Sequence, residues 1–226
     1  MSAFFAFFVR FLPDMLRGAG VTLLLTVEGL SAGFVIGLMA TLARSYAGKF
    51  WHGLAVAYIE LFRGTPLLVQ LFLIYYGLPG LGITLSREWS AFLALALNSG
   101  AYQAEYLRGS ILAIGDGQMI AGRAIGLSKW KTVYNIILPQ ALRLAIPAWA
   151  NEPVSLLKST AVVFLIAVPD LMARGKAIAA QTYDPIGSYI AVAIVYLAMI
   201  YFLDAFLKWL ERYTKIPGFE LEGKTV

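Results

Sequence analysis

Long apolar runs separated by short polar stretches are the dominant pattern of this sequence. Five of these runs approach the roughly 20 residues that a helix needs to cross about 30 Å of hydrocarbon. They cover residues 21–43, 54–76, 89–113, 144–168 and 187–210. These runs lack the alternating apolar and polar residues of a barrel strand and are too long for one. The pattern therefore predicts an all-α membrane protein with five transmembrane helices.

The first residues form a shorter apolar run. Residues 3–12 read AFFAFFVRFL, and Arg10 interrupts them. A cleaved signal peptide would show a basic start and a small-residue cleavage site, and this stretch shows neither. We expect residues 1–19 to be an amphipathic segment at the membrane interface. The helical core then covers about residues 20–212, and residues 213–226 form a cytoplasmic tail.

Composition supports a lipid-facing surface. Hydrophobic residues make up 60% of the 226 positions and charged residues 14%, with a mean hydropathy of +0.74. Soluble domains are typically about half apolar and a quarter charged. The sequence has no low-complexity linker, so we expect one domain over residues 1–226. The absence of cysteine excludes disulfides and thiolate metal ligands, and we expect no metal site.

The basic residues predict the orientation of the chain. The net charge is +5, but the cations lie in short loops between apolar runs, which indicates membrane topology rather than nucleic-acid binding. Most of them, including Arg123, Lys129 and Arg212, fall on the side of the 114–143 loop; Arg10 and Arg87 fall on the other. The richer side is cytoplasmic. We therefore expect the N-terminus outside, the C-terminus inside, and the long loop in the cytoplasm.

Polar side chains recur inside three of the predicted spans, although a charge at the bilayer centre costs about 2.5–3.5 kcal/mol on insertion scales. The polar residues at helical spacing are Asn98, Tyr102 and Glu105, and Asn151, Ser155, Lys158 and Ser159. Pro147 and Pro153 interrupt the fourth span, and the Arg-Gly-Thr-Pro sequence at 63–66 interrupts the second. Such broken helices are tolerated where they line a cavity. They predict a solute path at their junction; one alternative is contact between helices through small and polar residues. Another is simple charge pairing of Glu60 with Arg63 and of Glu152 with Lys158.

The C-terminal residues contain a false nucleotide-binding motif. Residues 218–225 read GFELEGKT and satisfy G-x-x-x-x-G-K-[ST]. A phosphate loop requires a strand before it and a helix after it, whereas this chain stops at Val226. We therefore expect no ATPase site in this chain. Motifs of other enzyme classes are also missing from the sequence, and we predict that it is not an enzyme.

The polar loop carries a family resemblance. It resembles the "EAA" loop of bacterial ABC-importer permeases, in the register Ile120-Ala-Gly, Gly126, Ile136 and Leu138-Pro139. Neighbouring segments are similar to the permeases for polar amino acids, the histidine/glutamine/glutamate/arginine/opine group. These segments are 63–70, 98–102, 105–109, 117–118, 138–143, 151–152 and 156–160. They spread over nearly the whole chain, in order and at the family's spacing.

The resemblance implies a permease subunit that works as part of a complex. A second copy or a similar permease would pair with it in the inner membrane, within the lipid bilayer. Two cytoplasmic ABC ATPase subunits would bind below and an extracytoplasmic solute-binding protein above. ATP and Mg²⁺ would be bound by the ATPases, so this chain would need no cofactor. ATP-driven closure would then tilt the spans and move a polar amino acid by alternating access.

The resemblance also assigns the ATPase-coupling loop. Gly126 permits a sharp turn between two short helices, and the adjoining residues offer contacts. The coupling residues are Ala121, Arg123, Gly126, Leu127, Ile136, Leu138 and Pro139. The sequence departs from the family pattern because Ile120 replaces its Glu and Gly122 its second Ala. These departures predict a lost ionic contact at Ile120 and a looser turn.

The resemblance places a substrate pocket around the second-span break. The implied residues are Thr65, Leu67, Asn98, Glu152 and Ser159. Glu152 can hold the α-amino group of a zwitterion, while Thr65, Asn98 and freed amides hold its α-carboxylate. Many members have an acid at the position of Ser159, and its absence here disfavours a basic substrate.

Two rival interpretations remain open from the sequence. The chain could be an ion-coupled secondary transporter or channel, although the odd number of spans and the absence of a clear half-chain repeat disfavour this. It could also be a membrane scaffold or receptor that does not transport. The polar stripes argue against that second alternative.

Overall fold

The computed structural model describes residues 2–214, and within that range the chain is helical without strands. Short 3₁₀ and π segments join some of the helices. The α-helices are α1 (Ser2–Tyr46), α2 (Lys49–Gly64), α3 (Leu67–Phe72), α4 (Arg87–Ile114), α5 (Gly117–Ala124), α6 (Lys129–Thr132), α7 (Leu138–Trp149), α8 (Asn151–Ser159), α9 (Leu171–Thr182) and α10 (Pro185–Thr214). The prediction of an all-α protein is confirmed. Most of the predicted tail, including the 218–225 motif, lies outside the described residues.

The first helix begins before the first predicted span. Helix α1 runs through 45 residues and keeps Pro13 inside it, so the helix that contains this span starts well before residue 21. Met15 and Ala19 are buried against α9 and α10. The apolar face of the N-terminal residues therefore belongs to the bundle. The location of residues 1–19 at a membrane interface stays a prediction.

Two described helices are each long and apolar enough to cross a membrane. They are the segments Phe4–Tyr46 and Pro185–Leu210. Two bent pairs could add two further spans, which gives up to four. Helix α4 covers the predicted third span but falls outside this set. The fold is thus consistent with a membrane protein, and the count of five spans stays a prediction.

The predicted break in the second span is confirmed. Helix α2 ends at Gly64, and both Thr65 and Pro66 have extended backbones. The chain resumes at Leu67 and turns by 107° relative to α2. Proline explains this geometry, because it donates no amide hydrogen and forces the preceding residue out of the helical region. The sequence at the break therefore sets the direction of the following segment.

The predicted fourth span differs from the observed structure. Helix α7 already begins at Leu138, and only Ala150 separates it from α8. A 3₁₀ segment, Thr160–Ile166, follows α8 and ends at Ala167, which has a positive φ of 62°. Helix α9 then turns away by 53°. Helix α9 lies between two predicted spans, in a stretch where Arg174 and Lys176 interrupt the apolar residues.

Helices α1 and α4 share a seam of small residues. On α1, Gly29, Gly33 and Gly37 recur at intervals of one helical turn and face α4. A Cβ at Gly33 would lie 3.0 Å from the Gly100 amide, and one at Gly37 would lie 2.7 Å from the Gly100 carbonyl. One turn further, the Thr41 hydroxyl donates to the Ala104 carbonyl at 2.9 Å. Small residues allow this close approach, as in many membrane helix pairs.

Candidate functional site

The break after α2 is held by one side chain that the sequence analysis missed. Gln70 is buried and donates from Nε2 to the Phe62 carbonyl at 2.8 Å. The same nitrogen approaches the carbonyl and the hydroxyl of Thr65 at 3.0 and 2.9 Å. The Thr65 hydroxyl itself donates to the Leu61 carbonyl at 2.7 Å. Gln70 thus satisfies carbonyls that the break releases from the helix.

The amide of Asn98 joins the same network from α4. Its Nδ2 donates to the Phe62 carbonyl at 3.2 Å and to Gln70 Oε1 at 3.1 Å. An amide nitrogen has two hydrogens, so both donors are used within the protein. Predicted residues Thr65 and Asn98 are therefore brought together through Gln70.

Glu152 enters from α8 and contacts the other side of α4. Its side chain is only 4% exposed. The Ser99 hydroxyl donates to Oε1 at 2.7 Å, and the Tyr106 hydroxyl approaches Oε2 at 3.5 Å. The sequence alternative that Glu152 pairs with Lys158 is wrong, because these hydroxyls are its partners. Ser99 follows Asn98 in sequence, so Glu152 and the break network meet at one level of α4.

A second buried network links α4 to α1 and α7. Gln103 is fully buried and donates from Nε2 to the Leu30 carbonyl and to Ser99 Oγ, both at 3.0 Å. Trp149 Nε1 donates to Gln103 Oε1 at 2.7 Å. Ser99, Gln103 and Tyr106 form a polar stripe one residue after the predicted stripe of α4. Their spacing could have identified them from the sequence.

Leu67 and Ser159, the two remaining predicted substrate residues, lie outside both hydrogen-bond networks. Leu67 is half-buried and packs against an apolar cluster around Leu71 and Leu95. The Ser159 hydroxyl donates to the Ser155 carbonyl of its own helix at 2.9 Å. This bond leaves the Ser159 hydroxyl hydrogen occupied. Ser159 thus joins neither the Gln70 network nor the Glu152 contacts through a described hydrogen bond.

A cluster of three arginines surrounds Glu105 near the end of α4. Arg108 Nη2 lies 2.8 Å from Glu105 Oε2, and Arg44 on α1 donates to Oε1. Arg63 is more distant, with Nη1 3.8 Å from Oε2. Its guanidinium carbon also lies 5.4 Å from the Tyr102 ring centroid. The alternative pairing of Arg63 with Glu60 is wrong, and Arg63 makes no hydrogen bond among the described residues.

The predicted turn of the coupling loop is confirmed. Helix α5 ends at Ala124, and Gly126 has a φ of 85°. The amide of Gly126 donates to the Arg123 carbonyl at 3.1 Å, and that of Leu127 donates to the Gly122 carbonyl at 3.1 Å. This pair of bonds defines a Schellman motif with glycine in the left-handed position. The Arg123 guanidinium adds a bond to the Leu127 carbonyl at 3.2 Å.

The expectation that Gly122 loosens the turn is wrong. Gly122 is buried against Thr132, where α5 meets α6. A Cβ at this position would lie 2.4 Å from Thr132 Cγ2 and 2.8 Å from its Oγ1. The glycine therefore makes room for the larger Thr132 side chain, which allows the two short helices to pack closely.

The exposed face of the loop is partly apolar. Ile120 is 67% exposed and Ile125 75% exposed. Ala121, Arg123 and Pro139 are also exposed, whereas Leu127, Ile136 and Leu138 are half-buried. This face thus combines apolar side chains with a guanidinium. Exposed apolar residues of this kind are typical of interaction surfaces.

The loop is attached to the spans through a few contacts. Lys129 Nζ donates to the carbonyl of Tyr46 at 2.6 Å, and the Tyr46 ring meets Trp130 with centroids 6.5 Å apart. Beside this attachment lies a cavity of about 400 Å³. Arg44, Arg108 and Met119 are among the residues that line it. The loop therefore contacts the end of α1 through Lys129 and Trp130.

Known proteins have sequences similar to that of this chain. The chain is 38% identical over 207 residues to the "Glutamine transport system permease protein GlnP" of Escherichia coli (strain K12), covering 91% of this chain and 94% of the relative. It is 38% identical over 200 residues to the "Probable amino-acid ABC transporter permease protein YckA" of Bacillus subtilis (strain 168), covering 88% of each.

A solved structure has the same fold. It is described as "Crystal structure of an amino acid ABC transporter with histidines", and it superposes with a TM-score of 0.83 at 36% identity. The superposition covers 91% of this chain and 96% of the solved one. The family "Binding-protein-dependent transport system inner membrane component" matches residues 33–216. The chain with the glycine turn and the broken polar spans described above therefore belongs to this family of transport-system membrane components.

Proposed function

We propose that this chain is the permease subunit of an ATP-driven importer for a polar amino acid. The observation that carries the proposal is its similarity, over nine-tenths of its length, to amino acid transport permeases and to a solved amino acid ABC transporter. The confirmed Gly126 turn supports it, because a rigid, exposed turn is suited to docking a partner. The cargo is one polar amino acid or a small set of them.

The membrane arrangement follows from the sequence pattern. Five spans, with α4 as the third, place the N-terminus outside and the C-terminus in the cytoplasm of an inner-membrane protein. The excess of basic residues on the side of the 114–143 loop supports this orientation. A single domain over residues 1–226 contains all five spans.

The partners occupy opposite faces of the complex. Two ABC ATPase subunits dock on the coupling loop, bind ATP and Mg²⁺, and hydrolyse the nucleotide; this chain does not. A second copy or a related permease completes the membrane part, and a solute-binding protein delivers substrate from outside. Alternating access follows when closure of the ATPases displaces α5 and α6 together, because Gly122 packs tightly on Thr132.

The substrate binds where the break network and Glu152 meet on α4. Glu152 holds the α-amino group, since a buried carboxylate partnered only by two hydroxyls favours an incoming cation. Thr65 and Asn98 set the shape of the site through Gln70, and Leu67 gives it an apolar wall. Ser159 lies further along α8.

Uptake by a reconstituted complex tests the proposal. Proteoliposomes would contain this chain, its ATPase and its solute-binding protein, with a panel of labelled L-amino acids outside. We expect accumulation of one or more polar amino acids that requires internal ATP. Uptake that continues without ATP and responds instead to an imposed proton or sodium gradient would favour the secondary-transporter alternative. Purification of the chain without any ATP-hydrolysing subunit under mild detergent would also count against the proposal.

A further inference from the structure

The side chains first expected to bind the substrate carboxylate have no free donors. Both Nδ2 hydrogens of Asn98 are used by Phe62 and Gln70. The hydroxyl hydrogen of Thr65 is used by Leu61. A carboxylate in this site would have to break one of these bonds to gain another. Apart from the backbone amides at the break, the site therefore needs a side-chain donor from another residue for the anionic end of a zwitterion.

Arg63 has the charge and the unused donors. It lies two residues before Thr65, and its side chain is 39% exposed. Glu105 is already hydrogen-bonded to Arg44 and Arg108, whereas the separation of 3.8 Å from Arg63 is too long for a hydrogen bond. The cluster therefore holds Arg63 near the break by charge and leaves its N–H groups without hydrogen-bond partners among residues 2–214.

Arg63 contacts α4 one turn away from the contact that Glu152 makes with it. Its guanidinium packs over the Tyr102 ring, and the hydroxyl of Tyr106, one turn further along α4, lies 3.5 Å from Glu152 Oε2. A cation and an anion thus contact successive tyrosines of α4. That arrangement complements the carboxylate and ammonium groups of an α-amino acid.

We propose that Arg63 binds the α-carboxylate of the transported amino acid, opposite Glu152. This inference rests on the proposed function, because it assumes that the substrate binds at the break. A guanidinium can hold a carboxylate through two parallel N–H···O bonds. The 3.8 Å separation from Glu105 lets Arg63 exchange that carboxylate for the substrate without breaking a hydrogen bond.

The experiment compares amino acids with analogues that lack only the carboxylate. L-Histidine is paired with histamine, and L-glutamine with 4-aminobutanamide. Binding is measured calorimetrically on the detergent-purified permease–ATPase complex without the solute-binding protein, so that the selectivity of that protein does not contribute. The variants are Arg63→Gln, Arg63→Lys and Arg143→Gln. Arg143 is the matched control because it is an exposed arginine on a different helix, α7, outside the predicted pocket and the coupling residues.

We expect the wild type to bind at least one amino acid about 10- to 100-fold more tightly than its analogue, the range expected for hydrogen bonds to a charged group. Arg63→Gln should remove that preference and leave binding of the analogue unchanged, which also shows that the fold is intact. Arg63→Lys should restore part of the preference, and Arg143→Gln should behave like the wild type.

Three outcomes would overturn the inference. The preference could survive in Arg63→Gln, or it could be absent from a wild type that imports amino acids. Arg63→Gln could also lose both members of a pair without recovery in Arg63→Lys, which would indicate a structural role. A complex that shows no ATP-driven uptake of any amino acid would overturn the proposed function as well, so the two failures are distinguishable.

Discussion

The coupling loop and the polar site are built in different ways. The turn at Gly126 is closed by amides and carbonyls that lie within five residues of each other. The polar site joins Glu152 to Ser99, 53 positions away, and Asn98 to Gln70, 28 positions away. The loop is exposed and the site is mostly buried. The comparison teaches that the loop depends on backbone geometry, whereas the site depends on hydrogen bonds between separate helices.

The largest effect should follow from Gly126→Val. The φ of 85° is accessible to glycine but strained for a β-branched residue. We expect ATP-driven uptake to fall to background while the chain still inserts in the membrane, as measured by proteoliposome uptake and by the amount of extracted protein. Gly117→Ala is the control, because Gly117 has no contact within 4 Å of an added Cβ. Unchanged uptake in Gly126→Val would contradict the hypothesis that the ATPase subunits dock on this loop.

Replacing the buried carboxylate should have the next largest effect. Glu152→Gln keeps the shape of the side chain but removes its charge, so we expect transport of every amino acid tested to weaken by about 10- to 100-fold. The measurement is the initial rate of uptake over a range of substrate concentrations. Glu60→Gln, an exposed carboxylate on α2, should change little. Loss of only one substrate would show that Glu152 recognises the side chain instead.

A double-mutant cycle tests the packing between α5 and α6. Gly122→Ala places a methyl group 2.4 Å from Thr132 Cγ2, and overpacking of this kind costs about 1–3 kcal/mol. We expect uptake to fall several-fold, and the second change Thr132→Ala to restore much of it because it removes Cγ2 and Oγ1. Additive losses in the double variant would show that the two residues act independently.

The smallest effect should follow from Ile120→Glu. This change introduces the acid that the family pattern has at this position. Ile120 is 67% exposed, and surface substitutions usually shift stability by less than about 0.5 kcal/mol. We expect uptake within about twofold of the wild type, measured in the same proteoliposomes. A large gain would mean that the missing acid limits docking.

Local signals account for what the sequence predicted well. Proline after Thr65 marked the break in the second span, and Gly126 marked the turn of the loop. Both features depend on the φ and ψ angles that proline and glycine permit. The alternation of apolar and polar stretches likewise predicted the helical class, although helix α1 extends well before the expected start.

The missed features depend on contacts between distant residues. Gln70 looked like one polar residue in an apolar run, and only the fold brings it to the carbonyls of Phe62 and Thr65. From the sequence, Gly122 in place of alanine suggested a looser turn. The sequence does not show that Thr132 packs against this glycine and leaves no room for a methyl group. Hydropathy did not predict α9, because this helix contains charged residues. Its start is fixed instead by the buried side chain of Asp170, which accepts a hydrogen bond from the Ala173 amide.

The glycine seam between α1 and α4 has a mechanical consequence. Because backbone atoms of α4 lie at contact distance from Gly33 and Gly37, sliding one helix along the other would drive Cβ atoms into that backbone. The seam therefore resists translation of α1 along α4. Relative motion is more readily accommodated at the Thr65–Pro66 break and at the bend between the segments Asn151–Ile166 and Leu171–Thr182.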